Sequence, residues 1–197
     1  MVTFADLMAL LFCFFVLLTS LSTAPKNCGG LKDYFETNRA FFKDFELRSS
    51  KLECVVTLPS DALFQSGQDV IQRGALQRLR PLAQKIMSLP EHQTDLIIVE
   101  GHTDDVPIRS RKFASNWELS SARAVNVSNY LRRAGLPESQ LSIRAFADKR
   151  PRVEYEDAAG RRLRGRELQL ARRENRRVEI ILADRPKSLE EYQPLFK

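Results

Sequence analysis

Cysteine and histidine are scarce, with three of the first and two of the second in the whole chain. Neither recurs as CxxC or at a Cys/His ligand spacing, which argues against a structural zinc site of the finger type. Lysine and arginine are absent ahead of Lys26, so the N-terminus lacks the basic segment of a secretory signal, although Ser22-Thr23-Ala24 has the small-residue character of a cleavage site. A lipoprotein signal is missing as well, because Lys26 and Asn27 stand before Cys28 where small apolar residues are needed. Cys13 lies inside an apolar block. Cys28 and Cys54 either pair in an oxidising compartment or remain free thiols.

With 197 residues the chain holds one compact domain of roughly 120 to 150 residues plus accessory segments. Its formal charge of +6 is mostly one local run, since eight arginines lie between Arg161 and Arg177 with only Glu167 and Glu174 among them. The run reads as a long solvated loop, and nucleic acid is not an expected partner.

Residues 1–23 hold a single charge, Asp6, in an otherwise apolar stretch that is nearly unbroken from Leu7 to Leu18. A spanning helix needs about 20 apolar residues, and Val2 to Ser22 reaches that length only with Asp6 in or near the hydrocarbon. A carboxylate there costs about 2.5 to 3.5 kcal/mol, so its presence points to a function. Thr3, Asp6, Leu10, Cys13, Leu17 and Ser20 recur at 3, 4 spacing and share one helical stripe. The competing reading is an acid at the helix end that reaches back to water.

The order Thr3-Phe4-Ala5-Asp6-Leu7-Met8 followed by Leu11-Phe12-Cys13-Phe14-Phe15-Val16-Leu17-Leu18 resembles the membrane helix of flagellar motor stator B subunits of the MotB/PomB type. The resemblance implies that Asp6 is the ion-carrying carboxylate, loading H+ or Na+ with no cofactor. It also implies a homodimer inside a ring of MotA/PomA-type A subunits, with one pass through the bacterial inner membrane and the C-terminal domain in the periplasm. Family members carry a basic cytoplasmic segment before this motif, whereas five residues precede Asp6 here, so a truncation or a misassigned start is expected.

Breakers from Ala24 to Gly30 end the apolar helix. Leu31, Tyr34, Phe35, Phe41, Phe42 and Phe45 then fall near helical spacing among charges, giving an amphipathic helix within a linker over 24–50. It either packs on the following domain or, by resemblance, acts as a plug against the membrane. Period-two alternation places Leu52, Cys54, Val56 and Leu58 on one face of a strand. A helix follows over 71–88, which Pro81 should bend or split. Strands at 96–99, 141–145 and 178–182 alternate with a helix from Ser115 to Gly135, opened by the capping pattern Ser115-x-x-Glu118. The fold class is α+β, a mixed sheet with helices on one face over 51–184, followed by a tail at 185–197.

Within that domain, Gly101-His102-Thr103-Asp104-Asp105, Asn116-x-x-Leu119-Ser120-x-x-Arg123-Ala124 and Asn175-Arg176-Arg177-Val178-Glu179 resemble the OmpA-like peptidoglycan-binding domain. The chemistry is readable without that resemblance. Asn116 and Arg123 are two helical turns apart and share a face, and Asp104 ends the strand that a short loop joins to that helix. An acid and a base flanking one pocket suit a zwitterion, with a bidentate arginine on a carboxylate. Meso-diaminopimelate of the peptidoglycan stem offers both groups. The resemblance carries binding to Asp104, Asn116 and Arg123, with Thr103 and Leu119 flanking and Arg176 assigned from the neighbours Arg176 and Arg177. An internal Asp104–Arg123 salt bridge is the competing reading. His102 and Asp104 form HxD, but His92 is the only other histidine and no nucleophile or third ligand stands near in sequence, so neither catalysis nor a metal is expected. A non-conducting tether between membrane and wall, or an ion-driven machine outside the flagellum, fits the same residues.

Overall fold

The computed structural model describes residues 4–20 and 26–185. Helix α1 spans Phe4–Ser20 with Asp6 in its first turn. Its 17 residues rise about 26 Å, against a hydrocarbon core of about 30 Å. Among the described residues no helix is long and apolar enough to cross a membrane. Of the expected polar stripe, Asp6, Leu10 and Cys13 lie on α1, whereas Thr3 and the side chains of Leu17 and Ser20 lie outside the described residues. Residues 186–197 of the expected tail do so as well.

The domain is built on a five-stranded sheet: β1 (Glu46–Ser49), β2 (Glu53–Pro59), β3 (Leu96–His102), β4 (Leu141–Ala147) and β5 (Arg177–Ala183) in the order β1-β2-β5-β3-β4. Only β3 and β4 pair in parallel, joined through a helical crossover; the other pairs are antiparallel. Helices α4 (Arg73–Ser88) and α5 (Asn116–Arg133) bury Leu79, Leu82, Ile86, Ala124, Val127 and Leu131 against Val56, Leu58, Val99, Ile180 and Leu182. This is the expected mixed sheet with helices on one face. The α5–β3 contact is close: a Cβ on Gly101 would lie 2.1 Å from the Ser120 carbonyl oxygen, so only glycine lets the helix approach the strand here.

Several expectations change. The aromatic segment 31–45 is not one helix, because α2 stops at Gly29–Thr37 and the chain turns back into β1. Leu31 and Phe42 are buried in the common core, and a disulfide joins Cys28 to Cys54 with Cα atoms 5.9 Å apart. The segment read as a linker therefore belongs to the domain from Cys28 onward. Leu52 is 68% exposed and precedes β2, so the strand's inward face begins at Cys54. Of the two effects expected of Pro81, a split does not occur: α4 runs through it, with Leu79 and Leu82 on either side buried against the sheet. The arginine run, expected as loop, forms helix α6 (Gly165–Asn175), pinned by buried Ala171 and Asn175. The Asn175 carboxamide accepts from the Arg152 and Val153 amides and donates to the Val153 carbonyl.

Candidate functional site

Strand β3 ends in a register shift at Gly101/His102, opposite Ala147. Ala147 sits at φ +48°, a left-handed conformation that costs a non-glycine residue about 1 to 2 kcal/mol. Its carbonyl accepts the Thr103 amide at 2.8 Å and its amide donates to the Ser120 hydroxyl at 3.3 Å. These bonds fix the departure of the chain into Thr103-Asp104. The loop beyond is held by Asn116: its Oδ1 accepts from the Ile108 amide at 3.1 Å, and its Nδ2 donates to the Asp104 and Val106 carbonyls at 3.2 and 3.0 Å. Asn116 is thus a positioning residue for the loop. The helix carrying it starts as expected, with the Ser115 hydroxyl accepting from the Glu118 amide.

A cleft of about 880 Å³ opens at this end of the sheet, and Thr103, Asp104, Asn116, Leu119, Arg123 and Arg176 all line it. Every wall-contacting candidate read from the sequence comes together here. Arg123 is 4% exposed. Its guanidinium lies 4.9 Å above the Phe64 ring, and its Nε donates to the Gln68 carbonyl at 2.9 Å. Burial lowers its pKa to about 10, partly opposed by the charge of Asp61, so it remains a cation at neutral pH. Two backbone carbonyls, Gln68 and Gln65, take two of its five N–H donors.

Asp104 pairs with Arg176, not with Arg123: Arg176 Nη1 lies 2.9 Å from Asp104 Oδ2, and Asp104 Oδ1 accepts the Val106 amide at 3.1 Å. Arg176 also grips Asp61 through Nη2 at 2.9 Å and Nε at 3.3 Å. The bond to Asp61, followed by that to Asp104, raises the Arg176 pKa above its ordinary value. Arg177 points to the other side of the sheet, against Glu179. The cleft therefore presents a row of alternating charge, Asp61, Arg176 and Asp104, with Arg123 recessed beside it.

Asp61, Phe64 and the carbonyls of Gln65 and Gln68 were not singled out by sequence; Asp61 lies in α3 (Ser60–Leu63) and the others follow it, and no periodicity marks that short helix. Asp105 ends the Gly101–Asp105 motif and ties the loop to α6. It accepts from Arg172 Nε at 2.7 Å and pairs with Arg162, while its amide donates to the Tyr155 hydroxyl at 3.0 Å. The Arg172 hydrogen bond holds its carboxyl below the usual range, and α6 is thereby tied to the rim of the cleft. His102 and Asp104, neighbours in the HxD pattern, separate: Asp104 lines the cleft while His102 joins Glu100 and Glu179.

The OmpA family profile matches residues 63–164, and a profile described as "Membrane MotB of proton-channel complex MotA/MotB" matches residues 1–37. Motility protein B of Bacillus subtilis is 31% identical over 66% of this chain, which spans 45% of that relative's length. The Bacillus subtilis protein YtxE is 26% identical over 92% of this chain and 87% of its own. Among solved structures, the periplasmic domain of Helicobacter pylori MotB superimposes with a TM-score of 0.61 at 25% identity, covering 77% of this chain and 89% of that one.

Proposed function

This chain belongs to the OmpA family as a MotB-type protein, and on that premise we propose that it is a stator B subunit that ties an ion-driven membrane complex to peptidoglycan. It is not an enzyme. The wall-binding half of the reading is carried by one observation, the convergence of Thr103, Asp104, Asn116, Leu119, Arg123 and Arg176 on a single cleft. In this reading the ammonium of a diaminopimelate side chain meets Asp104, whose paired contacts with Arg176 and Val106 leave further lone pairs to accept from it. The carboxylate meets Arg123, a buried cation on which a charge-assisted contact is little screened by water. Thr103 and Leu119 form the flanks.

The membrane half rests on the apolar stretch around Asp6 and on the MotB profile over residues 1–37. Asp6 would load H+ or Na+, which neutralises the carboxylate, lowers its cost in lipid and shifts its contacts with a MotA/PomA-type ring around a homodimer. The Cys28–Cys54 disulfide suits an exported, oxidising location such as the periplasm, with the chain anchored once in the inner membrane. A non-conducting tether between membrane and wall is the alternative, since the wall-binding cleft does not depend on Asp6. The two are separated by expressing wild type and Asp6→Asn with an A subunit and measuring ion uptake. Uptake that is lost in the variant supports the stator; uptake that never depends on Asp6 leaves only the tether.

A further inference from the structure

On the sheet face away from α4 and α5, Glu100 and His102 of β3 meet Glu179 of β5, the register partner of Glu100. All three are buried, at 4%, 2% and 7% exposure. Each carboxylate has one oxygen already engaged: Glu100 Oε1 accepts from Arg144 Nη1 at 3.2 Å, and Glu179 Oε1 accepts from Arg177 Nε at 2.8 Å and Arg48 Nη2 at 3.2 Å. The two Oε2 atoms face the imidazole, 3.7 and 4.0 Å from His102 Nε2. Those gaps are too wide for hydrogen bonds. Neither ring nitrogen of His102 has a hydrogen-bond partner, although both are buried.

An orphaned imidazole aimed at two free carboxylate oxygens calls for a third party, and the spacing says which kind. A metal bound at about 2.0 to 2.2 Å in tetrahedral geometry sets its ligand atoms roughly 3.3 to 3.6 Å apart. The observed gaps of 3.7 and 4.0 Å, within a set whose ligand atoms all lie inside 4.8 Å, are one ion wide. We propose that Glu100, His102 and Glu179 form a site for a divalent transition-metal ion, zinc being the best match to one imidazole and two carboxylates, with water as fourth ligand.

The neighbouring arginines do not substitute for the ion. The side chains of Arg48 and Arg144 are 46% and 48% exposed, so the buried cation beside the two buried carboxylates is Arg177, on Glu179. Their bonds to the Oε1 atoms instead fix the carboxylates from outside, as second contacts around a metal do. His102 Nδ1 lacks such a contact, a loss that costs about 10- to 100-fold in affinity at other sites. The Phe146 ring stacks on the imidazole at 5.5 Å and Arg150 covers that ring at 3.8 Å, so the ion enters when this cover moves or as the chain folds. Once bound it would clamp β3 to β5 directly behind Thr103 and Asp104.

The test uses the untagged full chain in detergent, in a Cys13→Ser background to remove the exposed thiol, stripped with a chelator and dialysed against zinc chloride. The expected result is one zinc per chain, with a melting temperature raised by roughly 3 °C or more. His102→Gln and Glu179→Gln should each lose the zinc and the shift, while His92→Gln should keep both. Circular dichroism establishes that each variant is folded, and the two ligand variants serve as alternatives should one not fold. No zinc on the wild type at 100 μM, taken as roughly the upper limit for a specific site, overturns the proposal, as does zinc retained by folded His102→Gln.

Discussion

Arg176 stands 2.9 Å from Asp104, so the acid of the cleft pairs with Arg176 and the competing Asp104–Arg123 salt bridge does not form. Asp104 is thereby held in one orientation before any ligand arrives, and Arg123 is left facing the cleft with Phe64 beneath it. Acid and base are kept apart by a third charge. Removing that charge should be felt at the ligand site: Arg176→Ala is expected to weaken binding of a diaminopimelate-containing stem peptide by about tenfold, or 1.4 kcal/mol, in a calorimetric titration. Asp61→Asn, which removes the other grip on Arg176, should weaken it less.

Gly101→Ala tests the packing that positions the site. The added methyl would sit 2.1 Å from the Ser120 carbonyl oxygen, and backbone must move to relieve it. The expected loss is about 3 kcal/mol or more in urea unfolding. Ala147→Gly should act in the opposite direction, since glycine adopts φ +48° without the penalty that alanine bears there.

The disulfide closes a span of 26 residues, for which chain entropy gives roughly 3 kcal/mol of stabilisation. Cys28→Ser with Cys54→Ser should lower stability by that order and loosen α2 and β1 first. Hydrogen exchange resolved along the chain reads this as faster exchange near Leu31 and Phe42 than near Val99.

Acid stability follows from Asp105. Its carboxyl is held below the ordinary 3.8 by Arg172, so its contribution is present above the unfolded value and is lost as pH falls through the lower folded one. Stability should therefore drop below about pH 4. Asp105→Asn should flatten part of that drop while leaving the curve between pH 5 and 7 parallel to wild type, as read by urea midpoints against pH.

Much of the domain was legible because its elements carry one period each. Ala75, Leu79, Leu82 and Ile86 mark α4, and Ile97 to Val99 mark a buried strand, with no competing signal. The segment from Leu31 to Phe45 misled because aromatic residues at near-helical spacing also suit a short helix that turns into an edge strand; tertiary burial of Phe42 decided between them. Helix α6 was hidden by its charge, since Arg172 is held by a partner far away in sequence, Asp105. The cleft residues were legible from motif spacing, but the pairing of Asp104 was not. It depends on where β5 begins relative to β3, which the register alone fixes.

The central claim is a zwitterion site whose carboxylate half is Arg123. It is tested most directly by titrating the full chain with two stem peptides that differ in one residue, meso-diaminopimelate or L-lysine, which keeps the ammonium and lacks the carboxylate. Wild type is expected to favour the diaminopimelate peptide by at least about tenfold, Arg123→Ala to lose that preference, and Asp104→Asn to weaken both peptides. Equal binding of the two peptides by wild type, or an undiminished preference in Arg123→Ala, would contradict it.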